Sequence, residues 1–323
     1  MAKGSSRRYV CGMLQPSNQP DAIVVVPENL RPSALSVLWE HADESVREAL
    51  SSQFEAESHT IDRYWNALVG KWNGSNWEGV AWAQFHVGRA ASLHGPTLRV
   101  ERPELAAQLV SAAISHALQS GVCIVQALRD LESTLQTQAL LDAGFKHVTD
   151  LLYMFCDTAR VSSHLPDTRL RFEPWSAPEN ARLARLIERT YVHSLDCPAV
   201  DGIRPVEDVM AGYRATGVFD PSRWLLVTRR ESNSDEKIDI GCLLLADHPT
   251  TDQFELVYMG VVPEERGHGW GFDMVRHALC QTHRAERKRL VLAVDSANRP
   301  GVRMYASAGF HTFEQKALYL RVK

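Results

Sequence analysis

The sequence predicts an α/β protein made of two tandem domains, each a central mixed, mostly antiparallel sheet flanked by helices. Its 323 residues suffice for about two domains. The second half alternates apolar strand runs with helical periodicity, in the order β-α-α-β-β-β-α-β-α-β. The first half repeats the end of this order, which indicates two copies of one fold.

The elements of the second half follow from periodicity and turn residues. Leu183, Leu186 and Ile187 recur at helical spacing within a helix predicted over 179–195. Further helices are predicted over 206–217, from near 269, and over 299–309. Strands are predicted over 168–175, 223–230, 239–247, 254–262, 289–295 and 312–322.

The first half contains predicted helices over 103–121 and 131–144 and strands over 122–128 and 147–155. Its "LLDAGFKHVTDLLYMF" matches the later "MYASAGFHTFEQKALYL", since both place Ala-Gly-Phe at a helix end before a strand. The alternative is that Ala-Gly-Phe recurs by coincidence in two unrelated α/β domains. The repeat predicts a disordered tail over 1–20, one copy over 21–157, a linker over 158–167 and a second copy over 168–323.

Composition and charge argue against several classes of protein. Hydrophobic residues make up 45% and charged residues 23% of the chain, and the net charge is −4. These values are typical of a soluble globular protein and argue against a nucleic-acid binder. The six cysteines are scattered without a C-x-x-C pair, so we expect no metal and a reducing, cytoplasmic environment. No apolar run has the length of a membrane span.

The segment "VVPEERGHGWG" (261–271) places Gly267, Gly269 and Gly271 between a predicted strand and a predicted helix. The first N–H groups of a helix have no intrahelical partner, and the helix dipole adds positive charge behind them. Glycines let a bulky anion come close and permit a positive φ. The turn therefore predicts a phosphate or pyrophosphate site, the alternative being a plain tight connection.

Two common nucleotide motifs do not fit this turn. No lysine follows the glycines, as a Walker loop requires. The spacing is G-x-G-x-G, whereas a Rossmann fingerprint needs G-x-G-x-x-G. Another kind of phosphate-bearing ligand is therefore expected.

These residues resemble the GNAT acyltransferase superfamily, whose hallmark is [QR]-x-x-G-x-[GA] after a strand and a proline. Here the matching positions are Arg266, Gly269 and Gly271. A second family motif, N-x-x-A-x-x-x-Y-x-x-x-G-F, is similar to the segment that starts at Asn298, with Gly301 where alanine is usual.

The resemblance covers about residues 168–323, which are predicted to be a GNAT acetyltransferase domain, and it implies that 21–157 is a degenerate GNAT-like domain. The tandem layout is similar to that of the mycothiol synthases, although the resemblance does not extend to their acceptor.

The resemblance implies an N-acetyltransferase that moves an acetyl group from acetyl-CoA directly to an amine through a tetrahedral intermediate. Glu255 is the candidate base and Tyr305 the candidate acid for the leaving thiolate, against a solvated Glu255 and a core Tyr305 as the alternatives. Strand alternation predicts that Glu255 and Val261 share a face, and apolar neighbours such as Phe254 and Leu256 predict a raised Glu255 pKa. The Val261 N–H is the expected oxyanion donor.

Acetyl-CoA is the expected co-substrate. The backbone of 259–261 is expected to bind pantetheine, Arg266 to lie near the phosphates, and Asn298 either to bind the cofactor amides or to cap a helix. The full set of predicted cofactor-binding residues is Met259, Gly260, Val261, Arg266, Gly267, His268, Gly269, Trp270, Gly271, Asn298 and Tyr305.

The polar segment "TYVHSLDCPAVDG" (190–202) is expected to cover the acceptor. Its candidate substrate-binding residues are Tyr191, Ser194, Asp196 and Asp201. We expect a small-molecule or peptide amine as acceptor, no nucleic-acid or membrane partner, and a monomer or homodimer. A non-catalytic acyl-CoA-binding or sensor protein on the same fold is the alternative function.

The matching segment of the first half, "TLRVERPELAAQ" (97–108), contains no glycine. Pro103 also removes an N–H group where a phosphate site would need one. We therefore predict that the first half does not bind CoA, and that it packs against the second half and helps to wall the acceptor cleft.

Overall fold

The computed structural model describes residues 22–40, 65–132, 134–159, 161–164, 167–230 and 236–323. Within them the named strands form one 12-stranded sheet. The strands are β1 (Ile23–Val25), β2 (Leu68–Trp72), β3 (Trp77–His86), β4 (Ala90–Leu98), β5 (Ile124–Arg129), β6 (Lys146–Asp157), β7 (Leu170–Pro174), β8 (Trp224–Arg230), β9 (Lys237–His248), β10 (Gln253–Val261), β11 (Arg289–Asp295) and β12 (His311–Val322). The α-helices are α1 (Arg31–Leu38), α2 (Pro103–Gln119), α3 (Thr134–Asp142), α4 (Asn180–Tyr191), α5 (Val206–Arg214), α6 (Trp270–Arg284) and α7 (Arg299–Ser307).

The two halves exchange their final strands. Across the sheet the order is β1-β2-β3-β4-β5-β12-β6-β11-β10-β9-β8-β7. β6 of the first half lies between β11 and β12 of the second half and is antiparallel to both. β12 in turn pairs with β5 of the first half. Strand pairing therefore continues across the predicted linker.

The exchanged strands also complete the opposite cores. Met154 and Cys156 of β6 are buried with α6 and α7 in the core of the second half. Ala317 and Tyr319 of β12 are buried with α2 and α3 in the core of the first half. Because each half buries apolar side chains of the other, neither core is complete without both halves.

The helices of the second half lie on both faces of the sheet. α6 and α7 cover one face and bury Phe254 and Leu256 of β10. α4 and α5 cover part of the opposite face, over Trp224 of β8 and Leu244 of β9. We call these the α6 face and the α4 face. The remainder of the α4 face, over β6 and β11, is where the candidate site lies.

The mixed α/β class and the helices and strands predicted for the second half are confirmed, with ends that differ by a few residues. In the first half α2, β5, α3 and β6 are also confirmed, whereas β1, α1, β2, β3 and β4 were not predicted. β3 is buried along most of its length, and its run of alanine, tryptophan and glycine does not alternate apolar with polar residues. The predicted tail over 1–20 lies outside the described residues.

The pairing registers support the internal repeat. β4 and β5 pair in parallel over three positions, ending at Ser92 and Gln126. β10 and β11 likewise pair in parallel over three positions, ending at Glu255 and Val291. By register, Ser92 in the first half corresponds to Glu255 in the second half.

The strand exchange predicts that the halves do not fold independently. A fragment of residues 158–323 loses β6 from between β11 and β12, and a fragment of 1–157 loses β12 from the edge of β5. We expect each fragment alone to aggregate or to lack a cooperative thermal transition, because it exposes a core and an unpaired strand edge. Circular dichroism melts and gel filtration measure this.

The matched control is an equimolar mixture of the two fragments refolded together. Complementation should yield a 1:1 complex with a cooperative transition, since both exchanged strands are then present. A monomeric 158–323 fragment that melts cooperatively near the Tm of the full chain would contradict the prediction.

Candidate active site

β10 and β11 diverge in the middle of the second half. In the described chain their pairing ends at Glu255 and Val291. Beyond that point β10 stays paired with β9 as far as Val261, and β11 stays paired with β6 as far as Asp295. A V-shaped opening therefore lies between the two strands, and Glu255 marks its closed end.

The glycine turn follows the open end of β10. Gly267 and Gly269 have φ values of +82° and +81°, a region that other residues adopt with strain. Gly269 caps α6, and its carbonyl accepts from the N–H groups of Phe272 and Asp273. Among the described residues, none accepts from the N–H groups of 267–271. The turn therefore presents a row of free donors at the positive end of a helix dipole.

A buried carboxylate, missed by the sequence analysis, holds this turn in place. Glu265 is 7% exposed. Its Oε1 accepts from Arg229 Nη2 at 2.6 Å, and its Oε2 accepts from Trp270 Nε1 at 3.1 Å. The pKa of Glu265 is lowered, chiefly by the hydrogen bond from Arg229. His268 Nδ1 lies 3.2 Å from the Glu265 carbonyl oxygen. His268 and Trp270, the residues between the glycines, therefore stabilise the conformation of the turn.

The acidic residues of the turn are neutralised by arginines. Glu265 pairs with Arg229, and Glu264 pairs with Arg189 of α4. An anion bound at the N–H groups therefore meets little net repulsion from these two carboxylates.

Arg266 binds the backbone of its own domain through its side chain. Its guanidinium donates to the carbonyl oxygens of Val261, His193 and Thr190 at 3.0, 3.0 and 2.9 Å. These bonds tie the end of β10 to the end of α4. The side chain that the sequence analysis expected near the phosphates is thus engaged with three carbonyl groups.

Glu255 lies on the α4 face, beside a histidine. Its Oε2 is 2.9 Å from His248 Nε2, and its side chain is 36% exposed. Because Phe254 and Leu256 point into the core on the α6 face, the apolar neighbours invoked from the sequence do not surround the carboxylate. The hydrogen bond with Glu255 raises the pKa of His248 above its ordinary value.

A β-bulge corrects the predicted alternation along β10. The register with β9 shifts between Leu256 and Tyr258, and one extra residue reverses the face of everything that follows. Val261 consequently packs on the α6 face, opposite to Glu255. The two residues were expected to share a face, and that expectation is wrong.

The bulge also bears on the oxyanion donor. The Val262 N–H donates to Ile240 of β9 at 2.9 Å, so by alternation the N–H groups of Val261 and Met259 face the opening. Six residues of strand place Val261 about 20 Å from Glu255. That separation is too long for both groups to act on one carbonyl, whereas Met259 lies closer to the closed end.

Gly260 permits a close approach of α4 to β10. A Cβ at this position would lie 2.6 Å from the side chain of Thr190. The Thr190 hydroxyl is also 2.6 Å from the Tyr258 hydroxyl. Packing of α4 against the strand accounts for this glycine.

A cavity of about 460 Å³ adjoins Glu255. It is lined by Tyr153, Phe155, Gln253, Glu255, Arg289, Val291, Leu292, Ala293 and Phe313. The lining comes from β10 and β11, from β6 of the first half and from β12. None of the four predicted acceptor residues lines it.

The predicted acceptor residues instead lie along α4 and the loop after it. Tyr191 is 3.1 Å from Tyr213 through their hydroxyls, and burial raises its pKa to about 12. The Ser194 hydroxyl accepts from the Asp196 N–H at 3.1 Å, which stabilises a local turn. Asp201 is exposed.

Asp196 attaches this loop to the end of β11. Its carboxylate accepts from the Asp295 N–H at 2.8 Å, and desolvation raises its pKa. Asp295 is 2% exposed and accepts from Thr149 of β6 and from the Cys197 N–H. Asp295 therefore joins β11, the exchanged strand and the loop. Desolvation raises the pKa of the Cys197 thiol to about 12, which leaves it protonated and poorly nucleophilic.

The second motif places its residues on α7. Asn298 is the N-cap, and its Oδ1 accepts from the Gly301 N–H at 3.1 Å. A Cβ on residue 301 would lie 2.6 Å from Asn298 Nδ2, so the glycine accommodates the cap. Tyr305 is 9% exposed in the second core. Burial, with a smaller effect from Asp196, raises its pKa, so the phenol stays protonated.

The corresponding opening in the first half contains an arginine. Arg129 of β5 donates to the Gly95 carbonyl oxygen of β4. Burial lowers its pKa to about 10. α2 begins at Pro103 after Arg102, without a side-chain cap. The Arg129 side chain therefore bridges β4 and β5 beyond the point where their pairing ends.

Comparison with known families gives one match. The model of the acetyltransferase (GNAT) family matches residues 202–310. No curated protein matches the chain, so the likeness to the mycothiol synthases stays a prediction. No helix in the described part of the chain is long and apolar enough to cross a membrane, and its His, Cys, Asp and Glu residues form no group suited to a metal ion.

Solved structures of GCN5-related N-acetyltransferases share the fold. One from Sphaerobacter thermophilus has 16% identity and a TM-score of 0.64, with 93% of this chain and 95% of that chain covered. A glucosamine N-acetyltransferase region of a fungal multi-domain GH3 β-N-acetylglucosaminidase has 14% identity and a TM-score of 0.56, with 86% and 37% covered. At such identities the likeness concerns the fold. Residues 202–310, which contain the glycine turn, thus match the acetyltransferase (GNAT) family model, and the chain shares the fold of these N-acetyltransferases.

Proposed function

We propose that the protein is an acetyl-CoA-dependent N-acetyltransferase that transfers the acetyl group directly to an amine. One observation carries the proposal: the free N–H groups of 267–271 lie at the open end of the V between β10 and β11, and Glu255 lies at its closed end. This spacing suits acetyl-CoA, an extended molecule that would place its pyrophosphate at the N–H groups and its thioester nearer to Glu255. The free cysteines of the described chain also favour a cytoplasmic location.

The residues present fit acetyl-CoA. A Cβ at Gly267 or Gly269 would meet no atom within 4 Å, so the space in front of the turn is open to a pyrophosphate. The strand edge of Met259 and Val261 offers N–H groups to the pantetheine amides. Asn298 caps α7 and is assigned no cofactor contact. When bound, acetyl-CoA would supply the thioester whose acetyl group is transferred.

Three groups of this chain serve the transfer. Glu255, oriented by His248, accepts the proton of the attacking amine. The Met259 N–H, rather than that of Val261, stabilises the oxyanion, because it faces the opening nearer to Glu255. As the new C–N bond forms and the C–S bond breaks, Tyr305 donates a proton to the thiolate.

The competing function is a non-catalytic acyl-CoA sensor. An enzyme and a sensor would both bind acetyl-CoA, so the two functions are distinguished by measuring turnover. Release of free CoA thiol that depends on an added amine supports the enzyme. Tight binding of acetyl-CoA without thiol release with any amine of a broad panel would support the sensor.

Gly269→Ala tests the anion site. We expect acetyl-CoA affinity, measured by calorimetry, to fall at least tenfold, because the methyl group enters the space of the phosphates. The backbone strain at positive φ should lower stability by about 1 kcal/mol. Gly121→Ala is the matched control, since Gly121 has a φ of +92° and open space but lies in the first half. Equal losses of affinity in both variants would contradict the assignment.

Glu255→Gln tests the base. We expect kcat/KM to fall by about 10²- to 10⁴-fold, because the amide cannot accept the amine proton. The Kd for acetyl-CoA should stay unchanged, since the carboxylate lies away from the phosphate turn. The control is Glu207→Gln on the exposed side of α5. Full activity of Glu255→Gln would rule out this residue as the base.

The His248–Glu255 pair predicts a titration shift. The carboxylate raises the pKa of His248 in the wild type, so Glu255→Gln should return it towards about 6.5. Because the folded-state pKa is raised, the pair stabilises the fold at low pH and loses this effect as the pH rises through that pKa. An NMR titration of the His248 ring measures the shift, and an unchanged pKa would contradict the pairing.

A further inference from the structure

We propose that the acceptor is a primary amine that carries an aromatic group and no carboxylate, bound in the cavity beside Glu255. This inference rests on the proposed function, because it takes Glu255 as the base that the amine meets.

Three aromatic rings form one wall of the cavity. Tyr153 and Phe155 come from β6, and Phe313 comes from β12. The Phe313 ring lies 6.3 Å from that of Tyr153 and 5.9 Å from that of Phe155, in edge-to-face geometry with both. Val291 and Ala293 of β11 add apolar surface. This arrangement offers an aromatic group both ring faces and ring edges.

Phe313 is 56% exposed, although it contacts two other rings. Phe313 continues the apolar surface formed by Tyr153 and Phe155, and contiguous exposed apolar surface marks binding sites. The cavity volume of about 460 Å³ falls within the range of about 300–1,000 Å³ for small-molecule sites. A bound aryl group would cover Phe313 and reach towards Glu255.

The charges around the cavity favour an ammonium over a carboxylate. Glu255 contributes a carboxylate whose partner is His248. Arg289 is the cation among the lining residues, and it is paired with Asp157 at 3.1 Å and lies over the Phe155 ring at 5.0 Å. An amino acid would place its carboxylate near Glu255 without an unpaired cation among the lining residues to receive it.

The first half supplies part of this pocket. Tyr153 and Phe155 belong to β6, which reaches the site because of the strand exchange. The first half, whose corresponding strands β4 and β5 are bridged by Arg129, therefore contributes to acceptor selection in the second half.

The test compares three amines at saturating acetyl-CoA: 2-phenylethylamine, ethylamine and phenylalanine. We expect kcat/KM for 2-phenylethylamine to exceed the value for each of the others at least tenfold. In Phe313→Ala the ratio of 2-phenylethylamine to ethylamine should fall at least tenfold. Leu131→Ala is the matched control, because Leu131 is 57% exposed and lies outside the cavity, so both values should stay unchanged.

A binding measurement separates this inference from the proposed function. Calorimetry should detect 2-phenylethylamine binding to the wild type and to Leu131→Ala, and at least tenfold weaker binding to Phe313→Ala. If 2-phenylethylamine binds with this pattern but no CoA thiol is released, the aromatic-amine site is supported and the proposed acetyltransferase function is contradicted. Acetyl transfer that prefers ethylamine or phenylalanine, or that loses the same factor for every amine in Phe313→Ala, overturns the inference. Absence of 2-phenylethylamine binding to the wild type also overturns it.

Discussion

The pairing of β6 between β11 and β12 is the constraint on which the rest of the molecule depends. β11 is attached to β10 over only three positions, so its place in the sheet is set by seven paired positions with β6. An exchanged strand thus holds one arm of the V, while β9 holds the other. Without it, β11 would have little backbone pairing beyond Val291, and the opening that defines the site would have no fixed width.

The bulge in β10 makes the residues before and after it point to opposite faces of the sheet. Before the bulge, Glu255 points to the α4 face, where the cavity beside it lies. After it, Met259 and Val261 pack on the α6 face, where α6 begins with the glycine turn. In the proposed function, this one inserted residue would let a single strand place the base on one face and bind the cofactor arm at its edge. Glu265 and Arg229 complete the arrangement by fixing the turn at the end of that strand.

The sequence was sufficient to predict the elements of the second half and the glycine turn, because these depend on local periodicity and spacing. The strand exchange could not be predicted from the sequence. The hydrophobic patterns of β6 and β12 are compatible both with pairing inside their own half and with the observed exchange. The bulge has no local signature in "FELVYMGVV", so alternation gave the wrong face for Val261. Arg266 illustrates a further limit: a motif position indicates that an arginine is needed, but its three carbonyl acceptors come from segments that only the fold brings together.

The two halves share the strand arrangement around the site but differ in the residues placed there. His86 lies 2.8 Å from Ser92, as His248 lies 2.9 Å from Glu255, so a histidine has the same diagonal cross-strand position beside this site in both halves. What the first half lacks is the carboxylate at Ser92 and the opening that Arg129 bridges. If the first half binds no cofactor, as predicted from its sequence, its structural contribution to the site is its packing and its final strand. Since that strand places Tyr153 and Phe155 in the cavity beside Glu255, the proposed acceptor site would depend on both halves of the chain.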